Sequence, residues 1–289
     1  MLKRRVAAAL LVSRGLVVQS LGFSRRLPVG RPEIAAEFLD RWGVDELVLL
    51  DLDASREGRH VSTELVARVA AASNVPLAAG GGIRELAEVD ALLRAGADKV
   101  CVNHAARERP ELITEIARRF GDQCVVAAVD VARVDGAHAV WCHVRRRALD
   151  VDLAAHLRAL AALGAGEILV QATHEDGSGR GFDVALAQEA SAAVGVPVLV
   201  LGGAGRASHF EEVLLQSGAA CAVAGNYFHF TEHSVTTTKA LAARRGLPVR
   251  VDTAARYADS AFDADGRLEK RADDALDAML HVRIPKEII

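Results

Sequence analysis

Two glycine clusters are the first residues whose type and spacing suggest chemistry. Gly80-Gly81-Gly82 is followed by Ile83-Arg84, and Gly202-Gly203 by Ala204-Gly205. Each follows a short apolar run and precedes a helix-like stretch. Glycine lets backbone N–H groups approach an anion with no side chain in the way, and a helix N-terminus adds a favourable dipole. Either cluster alone is also what a tight turn after a strand requires. Their symmetric placement, each followed one strand later by Asn103 or by Gly225-Asn226, points instead to two phosphate sites. Asp176-Gly177-Ser178 is a third loop with donors suited to the second phosphate. The spacing therefore predicts a bisphosphorylated ligand held by Gly81, Gly82 and Asn103 at one end. Asp176, Gly177, Ser178, Gly202, Gly203, Gly225 and Asn226 would hold the other.

Something must present these loops on one rim. Apolar runs of strand length lie at about 6–12, 46–52, 76–79, 99–102, 125–129, 168–171, 197–201 and 220–224, separated by segments of helical periodicity such as 33–42, 63–72, 85–95, 110–120 and 154–163. Buried strands alternating with helices predict a parallel sheet. Asp45-Glu46-Leu47-Val48 matches Gly166-Glu167-Ile168-Leu169, and Val75-Pro76-Leu77 matches Val196-Pro197-Val198, both at an offset of 121. That period is too long for a solenoid and fits two halves of one closed barrel. The expectation is an α/β (β/α)8 TIM barrel over residues 1–251, built from two half-barrel repeats, with a C-terminal extension over 252–289. A doubly wound open sheet is the alternative.

Composition narrows the partners. The chain has 289 residues, 51% of them hydrophobic, and a formal net charge of −3 with scattered basic residues, so neither nucleic acid nor an anionic membrane is an expected partner. Cys101, Cys124, Cys142 and Cys221 are widely spaced, which favours reduced thiols over a disulfide framework or a zinc site. No metal and no cofactor are expected. The apolar run at 6–12 is too short for a signal peptide and meets Ser13-Arg14-Gly15, a turn, so it reads as the first strand of a cytoplasmic protein.

The chain resembles the cyclase subunit of imidazole glycerol phosphate synthase. The resemblance rests on Asp45-Glu46-Leu47-Val48-Leu49-Leu50-Asp51, Gly80-Gly81-Gly82-Ile83, Gly96-Ala97-Asp98-Lys99-Val100, Val129-Asp130, Arg133-Val134-Asp135-Gly136, Gly166-Glu167-Ile168-Leu169 and Gly202-Gly203-Ala204-Gly205. It runs from Met1 to about Val251. The family's reaction, in histidine biosynthesis, adds ammonia to a bisphosphorylated ribulosyl aminoimidazole, then cleaves and cyclises the adduct. The resemblance implies two facing aspartates at the ends of strands one and five as general acid and base. Asp130 fills the strand-five position. It also implies an ammonia gate at the barrel floor, formed by Arg5, Glu46, Lys99 and Glu167, and a docked glutaminase subunit, with Asp98 and Gln123 at interface positions. Four charges of alternating sign at strand starts suit an interlocked ring, because each would otherwise be desolvated without a partner.

Two positions depart from that pattern. Leu11 occupies the strand-one position, and a leucine can neither move a proton nor hydrogen-bond an intermediate. Gln19, in the loop expected after strand one, stands where the family usually has a lysine. A kept docking face with a lost acid resembles a paralogue group of the cyclase subunit, associated with sugar amidotransferases of surface-polysaccharide pathways. The stretch Asn226-Tyr227-Phe228-His229-Phe230-Thr231-Glu232-His233-Ser234 adds to that resemblance. The implied function is then to dock a glutaminase and channel ammonia to an acetamido-sugar acceptor. The alternative is an active histidine-pathway cyclase in which Asp51, Asp53 or Glu175 replaces the missing acid. Beyond 251, helical character at 273–280 and an apolar end at 284–289 suggest a strap packed on the barrel or a docking arm.

Overall fold

The computed structural model describes residues 3–230, 233–251, 253, 255–272 and 274. Strand β1 (Arg5–Ser13) runs into an antiparallel hairpin, β2 (Leu16–Leu21) and β3 (Arg25–Gly30), and then helix α1 (Pro32–Arg41). Next come β4 (Glu46–Asp51), α2 (Thr63–Ala71), β5 (Leu77–Gly80), α3 (Leu86–Arg94), β6 (Lys99–Val102), the short α4 (His104–Glu108) and α5 (Glu111–Phe120). The second half repeats the plan. It consists of β7 (Val125–Val134), a hairpin arm of β8 (Ala137–Cys142) and β9 (Arg147–Ala148), α6 (Leu153–Ala162), β10 (Glu167–Ala172), α7 (Val184–Ala193), β11 (Val198–Leu201), α8 (Ala207–Gln216), β12 (Cys221–Ala224) and α9 (Ser234–Arg244).

Eight parallel strands close on themselves in the order β1, β4, β5, β6, β7, β10, β11, β12 and back to β1. This is the expected (β/α)8 barrel. The internal repeat is physical: β4 and β10 start at an offset of 121, as do β5 and β11. Burial follows the strand period of two. Val6, Ala8 and Leu10 join the layer under the helices, while Ala7, Ala9 and Leu11 point into the barrel, where they meet Val48, Ala78 and Leu169.

Both hairpins escape the reading of the sequence. Gln19 does not lie in a loop but in β2, paired with Leu27 of β3. The turn Arg14-Gly15 has positive φ at both residues (50° and 78°), as does Asp135-Gly136 between β7 and β8 (49° and 82°). Such two-residue turns match the twist of antiparallel strands and start a hairpin rather than ending a strand.

The described part of the extension lies across α8 and α9. Asp265 pairs with Arg206, its carbonyl accepts from Ser208 Oγ at 3.1 Å, and the Arg244 guanidinium sits 5.5 Å over the Phe262 ring. The helix expected at 273–280 and the apolar end at 284–289 fall outside the described residues, as do Thr231 and Glu232. No helix among the described residues is long and apolar enough to cross a membrane.

Candidate functional site at the barrel mouth

The loops after the strands build two clefts at the C-terminal mouth. The first is lined by Leu11, Gln171, Asp176 with Gly177, Leu201 with Gly202 to Ala204, and Ala224 to Asn226. Most of the residues expected to hold the second phosphate thus meet in one place. Gly202 and Gly203 have φ of 111° and 98°, a backbone that exposes amides and that L side chains rarely adopt. The Gly203 and Ala204 amides make no backbone hydrogen bond among the described residues. The turn opens α8, whose dipole favours an anion there.

Three expected phosphate ligands are differently employed. Ser178 is not among the residues lining the cleft, and its hydroxyl donates to Glu175 Oε2 at 2.6 Å. The Asp176 carboxylate accepts from Ser20 Oγ at 2.7 Å and from the Phe23 amide at 2.8 Å, which ties the β2–β3 hairpin to the mouth. Burial pushes its pKa up against those two bonds. A carboxylate repels phosphate, so what Asp176 offers a ligand is the placement of Gly177. Asn226 bonds the Ser20 backbone twice, Oδ1 accepting at 3.1 Å and Nδ2 donating at 2.7 Å. Its side chain is thus occupied, whereas Gly225 remains open to the cleft.

The second cleft lies between β6 and β7 and includes Asn103, His104, Arg107, Asp130, Cys142 and His143. Asp130 is 5% exposed and its Oδ2 lies 2.9 Å from His143 Nδ1. Asn103 therefore shares a cleft with the expected catalytic carboxylate. Gly81 and Gly82, after β5, line neither cleft. A Cβ on Gly82 would fall 1.9 Å from the Arg59 carbonyl oxygen, so close backbone packing is itself a reason for glycine there. His143 and His104 carry no spacing motif in the sequence and come together only when the β8 arm folds back over β7.

Leu11 is 4% exposed and packs among the interior apolar residues at the edge of the first cleft. The candidate replacement acids are committed elsewhere. Asp51 accepts from Arg59 Nη1 at 2.5 Å and from the amides of Asp53 and Ala54. Burial would raise the Asp53 pKa, but hydrogen bonds from Ser13, Arg26 and the Arg14 amide hold it below the usual carboxylate range. Glu175 binds Ser178 and Arg180. None of the three lines either cleft.

At the opposite end the four expected floor charges close a ring. Arg5 bonds Glu46 at 2.5 Å and Glu167 at 2.6 Å, while Lys99 bonds the same two carboxylates at 2.9 Å and 2.7 Å. Glu46 is 1% exposed, and its burial raises its pKa although Lys99 and Arg5 pull the other way. Asp98 and Gln123 are exposed beside this floor, with Asp98 Oδ2 accepting from the Leu77 amide at 2.8 Å. The interior between floor and mouth is lined by alanine, valine and leucine side chains and by Cys101 and Cys221. All four cysteines are free, and burial pushes the Cys101 thiol up to about 12.

Residues 5–234 match the family described as histidine biosynthesis protein. The chain belongs to that family. It is also 42% identical, over 252 residues, to imidazole glycerol phosphate synthase subunit HisF of Geobacillus thermodenitrificans (strain NG80-2), an alignment that covers 86% of this chain and 100% of the relative. The family match takes in all eight barrel strands and both clefts, and the extension lies beyond it.

Proposed function

We propose that this barrel is the ammonia-receiving subunit of a glutamine-dependent synthase. A glutaminase docks on the floor beside Asp98 and Gln123, ammonia enters through the Arg5–Glu46–Lys99–Glu167 ring, and it meets a phosphorylated acceptor at the mouth. The observation that carries this reading is the closed charged ring under an uncharged interior. Apolar side chains and neutral thiols admit ammonia and reject ammonium, because an isolated ion in that interior would be strongly disfavoured. The likeness to a synthase subunit supports a partner of the glutaminase kind.

Two acceptors compete for the mouth. The 42% identity across the whole of the Geobacillus subunit favours the bisphosphorylated intermediate of histidine biosynthesis, and it gives that acceptor more support than the acetamido sugar suggested by the paralogue resemblance. What favours a different acceptor is Leu11, buried at the strand-one position with no uncommitted carboxylate beside it to take over. We hold to the shared part, a glutaminase-fed barrel, and to the consequence that cyclisation of the histidine type is slowed by the missing acid.

The docking half is tested by mixing the full chain with a class I glutaminase subunit of a histidine-pathway synthase and weighing the assembly by native mass spectrometry. A one-to-one complex that weakens when Gln123 is replaced by arginine is the expected outcome. Absence of any complex at micromolar concentrations contradicts the assignment of the floor.

A further inference from the structure

Three imidazoles line the second cleft, those of His104, His143 and His156, and neighbours fix the first two in opposite hydrogen-bonding roles. A carboxylate only accepts, so His143 Nδ1, 2.9 Å from Asp130 Oδ2, carries a hydrogen. A guanidinium only donates, so His104 Nδ1, 3.1 Å from Arg107 Nη2, is an unprotonated acceptor. His104 is therefore neutral with its hydrogen on Nε2. Burial lowers its pKa and the Arg107 charge lowers it further. His143 Nε2 has no partner among the described residues and, in the neutral ring, presents a lone pair. The two rings stand edge to face with centroids 6.1 Å apart, and both line the cleft that contains Asp130. One imidazole thus offers a base and the other a hydrogen-bond donor, side by side at the mouth.

We propose that His143 is the base and His104 the donor that add ammonia to the carbonyl carbon of a phosphorylated acceptor. This deepens the function proposed above and rests on ammonia reaching the mouth. The nitrogen lone pair forms the new C–N bond, and the carbonyl π pair moves to oxygen, where His104 Nε2–H bonds the developing charge. The surplus proton on nitrogen passes to His143 Nε2 and is returned to the alkoxide, giving a carbinolamine with no other reactant. Asp130 is then a positioning residue that fixes the His143 tautomer, and a site arranged this way needs no carboxylate at position 11 for the addition step. Asn103 lines the same cleft as the two rings.

The experiment uses the full chain, nitrogen-15 labelled, and long-range proton–nitrogen correlation of its imidazole rings. His143→Gln and His104→Gln assign the signals, and ribulose 5-phosphate serves as the open-chain carbonyl probe. Expected are an Nδ1–H tautomer for His143, an Nε2–H tautomer for His104, displacement of both Nε2 signals by millimolar probe, and loss of the His143 tautomer in Asp130→Asn. The same tautomer in both rings, or probe that leaves either ring unmoved, overturns the proposal. With ammonium salt and the bisphosphorylated histidine intermediate, His143→Gln is expected to lower kcat about 10²–10⁴-fold with KM little changed. A kcat unchanged by that substitution also overturns it. A chain that shows both ring responses but no turnover supports the pair and contradicts only the histidine acceptor.

Discussion

Replacing Arg5 with alanine is expected to lower the stability of the barrel by about 3–5 kcal/mol at neutral pH, the usual cost of removing one partner from a buried ion pair. Arg5 holds two carboxylates, Glu46 and Glu167, and without it both depend on Lys99 alone. The loss exceeds that of a surface pair because the Glu46 side chain is 1% exposed and cannot turn to water. The pH dependence gives the mechanism a second signature. Glu46 is buried against its charge, so its folded pKa lies above its unfolded value. For an acid shifted that way the charge penalty is absent below the unfolded pKa and grows as pH rises through the two values. Removing the guanidinium widens the interval. The stability gap between variant and wild type, followed by urea denaturation, should therefore be widest at pH 7 and narrow as pH falls towards the carboxylate range. A gap of under 1 kcal/mol at pH 7 would mean that the ring bears little weight.

Gly203→Ala is expected to damage both the fold and the anion site. Its φ of 98° is strained for any L side chain, at a cost of about 1–3 kcal/mol. The new methyl would also stand 1.8 Å from the Gly181 carbonyl oxygen, so one backbone must move. That clash lies where the Gly181 amide donates to the Gly203 carbonyl at 2.8 Å, linking the turn to the loop before α7. Yielding there turns the Gly203 and Ala204 amides away from the cleft in which we propose that they hold phosphate. The expected result, by calorimetric titration with ribose 5-phosphate, is at least about a tenfold loss of affinity, equivalent to about 1.4 kcal/mol. Gly195→Ala, at a position with open space around it, serves as the control. Equal affinity in the two variants would remove the turn from the binding site.

Much of the architecture is legible in the sequence because strand burial leaves continuous apolar runs and because the two halves repeat. Glu46 and Glu167 recur at the repeat offset and fall at strand starts, so their charges read as a floor before any distance is known. The mouth is less legible. Asp176, Ser178 and Asn226 have the right chemistry for phosphate, but the hairpin from β1 competes for two of them and Glu175 for the third. For Asp176 and Asn226 that competition comes from the hairpin, some 150–200 residues away, on which local pattern is silent, whereas Ser178 is taken by a carboxylate three residues before it. His104 and His143 escape for a different reason: their partners, Arg107 and Asp130, are close in sequence, but no motif marks either pair and only the folded α4 and β7–β8 arm bring the atoms together. The turns Arg14-Gly15 and Asp135-Gly136 were readable, and reading them as hairpin turns would have moved Gln19 from a loop into a strand.

Leu11 is the residue on which the function turns. It is apolar, nearly fully buried and at the edge of the first cleft, where we propose that the acceptor binds. Introducing that carboxylate removes apolar packing and buries a charge, so Leu11→Asp should be less stable by about 2–4 kcal/mol while supplying the absent acid. The most direct measurement of the account is the steady-state rate of wild type and Leu11→Asp, side by side, with ammonium salt and the bisphosphorylated histidine intermediate. The variant is expected to turn over at least about 10²-fold faster than wild type. A wild type that turns over readily and as fast as its variant would contradict that expectation and make the barrel an ordinary histidine-pathway cyclase, whereas no turnover by either would remove the histidine acceptor.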